Sequence, residues 1–215
     1  MNAEPREGST EMLERTATTR GQFLRNVGKG GIVLATSGGV LASVAGGTAF
    51  AAGAPTAGDV ETLQAAYTAE SLAVVVYSAI LKNFHAFRHP RLMNRDYFQA
   101  ALANEKDHKA FLAEALGPKT PTGLTFVIPR SVTRTGQSLL NTGVALETAF
   151  VEAYLGAAET FSSQELRTVA AKVAANEASH FSFFDAAAGG HGVLPSVPRS
   201  DTIPNTVRKL KPFLG

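Results

Sequence analysis

From about residue 58 onward the apolar positions recur every three or four residues in four runs, near 58 to 85, 94 to 116, 134 to 161 and 163 to 188. That spacing predicts four long amphipathic helices. In the first run Leu63, Tyr67, Glu70, Val74, Tyr77 and Leu81 form one stripe with a single acid at its centre. In the third, Leu140, Val144, Glu147, Val151 and Tyr154 do the same. Each of these acids is followed seven places on by a tyrosine, Glu70 by Tyr77 and Glu147 by Tyr154, which marks an internal repeat of a helix pair. Asp59 is placed to cap the first helix, and Leu116-Gly117-Pro118 stops the second.

Between the second and third runs lies a Pro-, Thr- and Gly-rich stretch from Pro118 to Arg134, with Thr125 to Ile128 as a short extended apolar patch. Its roughly 16 residues reach about 50 Å when extended, enough to return the chain from one end of a bundle to the other. The third and fourth runs join almost directly through Phe161-Ser162-Ser163. After Gly189-Gly190 the tail carries Pro195, Pro198, Pro204 and Pro212 and is expected to be irregular. The expected fold is all-α, an up-down four-helix bundle with a long crossover between helices 2 and 3 and an irregular C-terminal tail.

The candidate chemistry sits on these stripes. Ala-Asn-Glu-x-x-His-x-x-Phe occurs twice, as Ala103 to Phe111 and as Ala175 to Phe183. On a helix, residues three apart share a face, so Glu105 with His108 and Glu177 with His180 each project together. Adding Glu70 and Glu147 gives four carboxylates and two imidazoles, the ligand set of dinuclear carboxylate bundles. A single Glu-x-x-His carries little information, but two copies in register with two Glu-bearing stripes carry much more. Burying four carboxylates at one spot without cations costs many kcal/mol, a conflict that bound divalent ions remove. The bland alternative is a buried polar network in which each His bonds a neighbouring acid.

Glutamate oxygen and imidazole nitrogen suit two divalent ions of iron or manganese, with zinc as a competitor that binds at least as tightly. The repeat predicts Glu105 and Glu177 as bridging ligands and Glu70, His108, Glu147 and His180 as terminal ones. Glu152 competes with Glu147, but it aligns with Val75 in the repeat and lies about 140° away around the helix. It is read either as a solvent-facing acid or as a partner to a ligand. Tyr77 and Tyr154 are core fillers with a bonded hydroxyl or, alternatively, donors to a metal-bound carboxylate or a radical relay. Asn104 and Asn176 have a surface role or bond across the repeat. His85, His89 and His191 lie near helix ends or in loops and are not counted as ligands.

Residues 1 to 51 read as an export signal and are set apart from the fold. Arg20, Gln22 and Arg25 precede an uncharged stretch from Gly31 to Ala52, and Ala49-Phe50-Ala51 fits the small-x-small cleavage rule. Thr19 to Arg25 resembles the twin-arginine consensus with Gly21 in place of the second arginine. An uncleaved membrane anchor is the alternative, since about 20 apolar residues span a bilayer. The domains expected are therefore 1–51 signal, 52–189 bundle and 190–215 tail. Without the signal the chain keeps 15 Lys plus Arg against 14 Asp plus Glu, a balance that gives no hint of nucleic acid. The absence of cysteine excludes disulfides, thiolate metal sites and an attached rubredoxin-like iron centre.

With these motifs the chain resembles the ferritin-like superfamily, which includes ferritins, rubrerythrins and manganese catalases. Ala145-Leu146-Glu147 followed by Ala153 to Ala158, after a Pro-rich crossover, is most similar to exported ferritin-like proteins grouped with desiccation-related proteins. The resemblance covers about residues 58 to 188. It implies a dinuclear centre that reacts with oxygen or peroxide, as an oxidoreductase of ferroxidase, peroxidase or catalase type serving oxidative-stress defence or iron handling. The alternative is a non-enzymatic stress protein with a structural metal site. A ferritin shell ranks last, and homo-oligomerisation stays open. The expected location is periplasmic, cell-envelope or extracellular.

Overall fold

The computed structural model describes residues 55–84 and 94–213. Residues 1 to 51, where an export signal is expected, and His85 and His89 lie outside them. Among the described residues six α-helices follow in chain order: α1 (Ala57–Lys82), α2 (Arg95–Leu116), α3 (Arg130–Thr133), α4 (Gly136–Thr160), α5 (Gln164–Ala188) and α6 (Ile203–Leu210). The four long ones, α1, α2, α4 and α5, occupy the four periodic runs to within about three residues.

Local signals set their ends. Thr56, not Asp59, caps α1: its hydroxyl accepts from the Asp59 amide at 3.2 Å. Asp59 sits at the third helical position, and its carboxylate accepts from the Thr56 amide at 2.9 Å to close a capping box. The same carboxylate accepts from the Ser162 amide at 2.9 Å and from the Ser162 hydroxyl, so it ties the start of α1 to the α4–α5 turn. Asn94, Thr135 and Ser163 cap α2, α4 and α5 through side-chain oxygens. Gly189 ends α5 at φ 106°, a left-handed position open to glycine.

The burial pattern gives the topology. One apolar cluster combines the C-terminal half of α1 (Tyr77, Ile80), the start of α2 (Phe98), the start of α4 (Leu139, Leu140) and the end of α5 (Phe184). A second combines the start of α1 (Leu63), the end of α2 (Leu112, Leu116), the end of α4 (Tyr154, Phe161) and the start of α5 (Leu166, Val169). Thus α1 runs antiparallel to α2 and α4, and α5 runs parallel to α1. The segment from Gly117 to Thr135 must travel the length of the bundle, as its sequence predicts. Phe126 and Ile128 pack on the first cluster along the way.

The tail departs from expectation. Residues 203 to 210 form α6, which packs against α1 and α4. Pro204 lies in the first turn, where a missing N–H costs nothing, so this proline starts a helix instead of breaking one. Leu210 and Phe213 enter the first core cluster, and the Phe213 carbonyl accepts from the Val127 amide at 2.9 Å. Gly156 lets the tail backbone approach α4, since a Cβ there would lie 2.2 Å from the Asp201 carbonyl oxygen.

Candidate metal centre

Between the two apolar clusters the four long helices converge on one buried polar group. Glu70 comes from α1, Glu105 and His108 from α2, Glu147 from α4, and Glu177 and His180 from α5, each 4 % exposed or less. All six predicted residues meet there, in two quartets: Glu70, Glu105, His108 and Glu177 in one, and Glu105, Glu147, Glu177 and His180 in the other. Within each quartet one ligand atom from every residue lies within 4.8 Å of the rest. Glu105 and Glu177, the two residues expected to bridge, belong to both quartets.

The atoms face a shared interior more than they face one another. His108 Nδ1 lies 2.9 Å from Glu177 Oε1, and His180 Nδ1 lies 2.9 Å from Glu105 Oε1. Yet Glu70 Oε2, both Glu105 oxygens, His108 Nδ1, Glu147 Oε2 and Glu177 Oε1 are buried without an aligned hydrogen bond among the described residues. Six such atoms at one spot without aligned hydrogen bonds, three of them held only in ion-pair contact, suit a donor set aimed at cations. The residues therefore fit a pair of metal ions. Hard oxygen donors with one imidazole per ion are suited to iron, manganese or zinc.

Protonation follows from burial and mutual proximity. Burial and the Glu105 charge push Glu70 up to about 7, and burial raises Glu147 well above the usual carboxylate range. Burial acts against charging His108 and His180, but the carboxylates around them outweigh it and raise both imidazoles. Burial likewise raises Glu105 and Glu177, and the two imidazoles more than reverse it. In metal-free protein, two imidazolium ions and two carboxylates then balance, with Glu70 neutral below about pH 7 and Glu147 shifted toward its neutral form.

The surrounding side chains hold this set in place. Tyr77 donates to Glu147 Oε1 at 2.6 Å, and Tyr154 donates to Glu70 Oε1, so each tyrosine of the repeat supports the acid of the other helix. This favours the supporting role over simple core filling. His180 Nε2 lies 3.4 Å from the Asn104 amide. The atom of the amide that faces the ring is its nitrogen, Nδ2. Asn104 thus bonds across the repeat instead of serving the surface. Glu152 lies outside the centre: it accepts from Lys209 of α6 at 2.7 Å. His191 is exposed in the tail.

Tyr97 escaped the sequence reading. Its ring stacks on Phe183 at 3.6 Å and stands edge-on to His180 at 6.4 Å, with its hydroxyl buried and unpartnered among the described residues. It precedes the α2 motif by two turns on the motif's own face, and that spacing was its available signal.

A comparison with curated proteins finds no match. The family model described as ferritin-like domain matches residues 58–190, which takes in all four long helices and every residue of the cluster. The chain belongs to the ferritin-like family.

Proposed function

We propose that this is an exported ferritin-like protein whose two quartets hold a pair of iron or manganese ions that react with dioxygen or peroxide. The observation that carries the reading is the sharing of Glu105 and Glu177 between two otherwise separate quartets, with six buried ligand atoms lacking an aligned hydrogen bond. When bound and reduced, such a pair supplies two electrons to an oxidant. Each quartet would hold one ion through Glu105, Glu177, one further glutamate and one histidine. Tyr77 and Tyr154 fix the terminal carboxylates, and Asn104 orients His180. Export rests on Thr19 to Arg25 and on Ala49-Phe50-Ala51.

The alternative is a desiccation- or stress-related protein whose metals only stabilise the bundle. Its support is the depth of the cluster, where Glu70, Glu105 and Glu177 are 0 % exposed. Stopped-flow oxidation of the anaerobically reduced, iron- or manganese-loaded protein separates the two. Rapid reoxidation by dioxygen or peroxide supports the redox role, and bound metal inert to both supports the structural one.

A further inference from the structure

The repeat makes the two quartets alike in their ligands but not in what flanks them. Positions 72 apart correspond in α2 and α5, so Tyr97 corresponds to Val169 and Phe183 to Phe111. On the His180 side Tyr97 stacks on Phe183 at 3.6 Å and meets the His180 ring edge-on at 6.4 Å. On the His108 side the same pair is Val169 and Phe111, both in the second apolar cluster, and it offers no hydroxyl.

The Tyr97 hydroxyl is turned inward. The residue as a whole is half-buried, yet its oxygen, the far end of the side chain, is buried. Stacking on Phe183 and an edge contact with Phe98 at 5.6 Å hold the ring in that direction. The oxygen has no hydrogen-bond partner among the described residues, whereas Tyr77 and Tyr154 spend theirs on Glu147 and Glu70. A buried hydroxyl costs free energy unless it is hydrogen-bonded, and folded proteins satisfy nearly all such groups.

The charges that this hydroxyl feels identify the end of the centre it faces. Burial, and after it the charges of Glu147, Glu105 and Glu177, raise its pKa well above the ordinary phenol value. Those three carboxylates are the ones that share a quartet with His180. A neutral phenol is a hydrogen-bond donor, and every protein acceptor nearby is already directed at the quartet.

We propose that Tyr97 donates a hydrogen bond to a small ligand, water or an anion with an acceptor oxygen or nitrogen, held at the Glu147–His180 end of the dinuclear centre. The His108 end, with Val169 in the corresponding place, lacks this donor. The inference rests on the reading that the quartets hold ions, and it makes their two ends unequal toward small ligands.

The probe is azide, titrated calorimetrically into the metal-loaded protein and located in crystals of the same complex. Neither measurement needs turnover. Tyr97→Phe removes the hydroxyl and keeps the ring that stacks on Phe183. It is expected to weaken azide binding about tenfold while the metal content stays at the wild-type level. It should not lower the urea midpoint of metal-free protein, because the lost hydroxyl has no protein partner. In wild-type crystals azide is expected within hydrogen-bond distance of the Tyr97 oxygen. Azide seated at the His108 end, an affinity unchanged in Tyr97→Phe, or no azide uptake by the loaded wild type would overturn the inference. So would a lowered urea midpoint, which would show that the hydroxyl serves the fold. Azide held by Tyr97 on a centre inert to dioxygen and peroxide would remove the redox reading and leave this assignment standing.

Discussion

The hydroxyl of Tyr77 donates to Glu147 Oε1 at 2.6 Å across two helices that are 70 residues apart in sequence. Its repeat partner Tyr154 returns the bond to Glu70, so α1 and α4 each carry an acid and the donor for the other's acid. Removing one hydroxyl leaves a buried carboxyl oxygen without a partner, a loss of about 1–3 kcal/mol. Tyr77→Phe should therefore lower the unfolding free energy of metal-free protein by about that amount. Metal content should stay unchanged, because Glu147 keeps Oε2 directed into its quartet. Urea unfolding and metal analysis of one preparation check both halves of this expectation.

Glu147 and Glu152 lie on one helix and do different work. Glu147→Ala should empty or weaken the quartet it completes with His180. Glu152→Ala should leave the metal content alone and loosen α6, whose Lys209 it holds at 2.7 Å. Lys209 is 47 % exposed, so the stability change should stay within about 1 kcal/mol. Equal metal loss from the two variants would contradict the assignment.

Much of this centre is legible in the sequence, because helical spacing is rigid enough to say which residues share a face. Six side chains chosen by spacing lie in one cluster, and the angular offset of Glu152 foretells its absence from it. The tail is a different case, since Pro204 has opposite meanings at a helix start and in a helix interior, and only packing of Leu210 and Phe213 decides between them. Asp59 misled for a related reason: Thr56 and Asp59 both suit a cap, and the box uses both.

Asp59 offers a control far from the chemistry. Its burial acts to raise its pKa, but hydrogen bonds from Ser162 and Thr56 outweigh this and hold it down to about 2. The corresponding stabilisation, about 2 kcal/mol, is present above the unfolded value and is lost as pH falls through the folded one. Asp59→Ala should cost about that much near neutral pH without altering metal content. An undiminished melting temperature would contradict the link from α1 to the α4–α5 turn.

The centre itself should respond to alkali in the opposite sense. The raised values of Glu70, Glu147, His108 and His180 mean that their protonated forms favour the metal-free fold. That contribution fades as pH rises from each unfolded value through the folded one, about 7 for Glu70. Glu105 and Glu177, lowered, act oppositely and lose their contribution on acidification. Metal-free protein should therefore be most stable in mildly acidic solution and should melt earlier as pH rises above about 7. Metal loading should remove the alkaline decline. A pair of divalent ions would displace protons from the raised groups, so titration with metal in lightly buffered, mildly acidic solution should release protons.

The central claim is that Glu105 and Glu177 are shared between two ions. Anomalous diffraction from crystals of the iron- or manganese-loaded protein, with elemental analysis of the same material, tests it most directly. The account predicts about two ions per chain, one beside Glu70 and His108 and the other beside Glu147 and His180, with Glu105 and Glu177 between them. A folded protein that takes up no metal, or one ion bound away from this cluster, would contradict it.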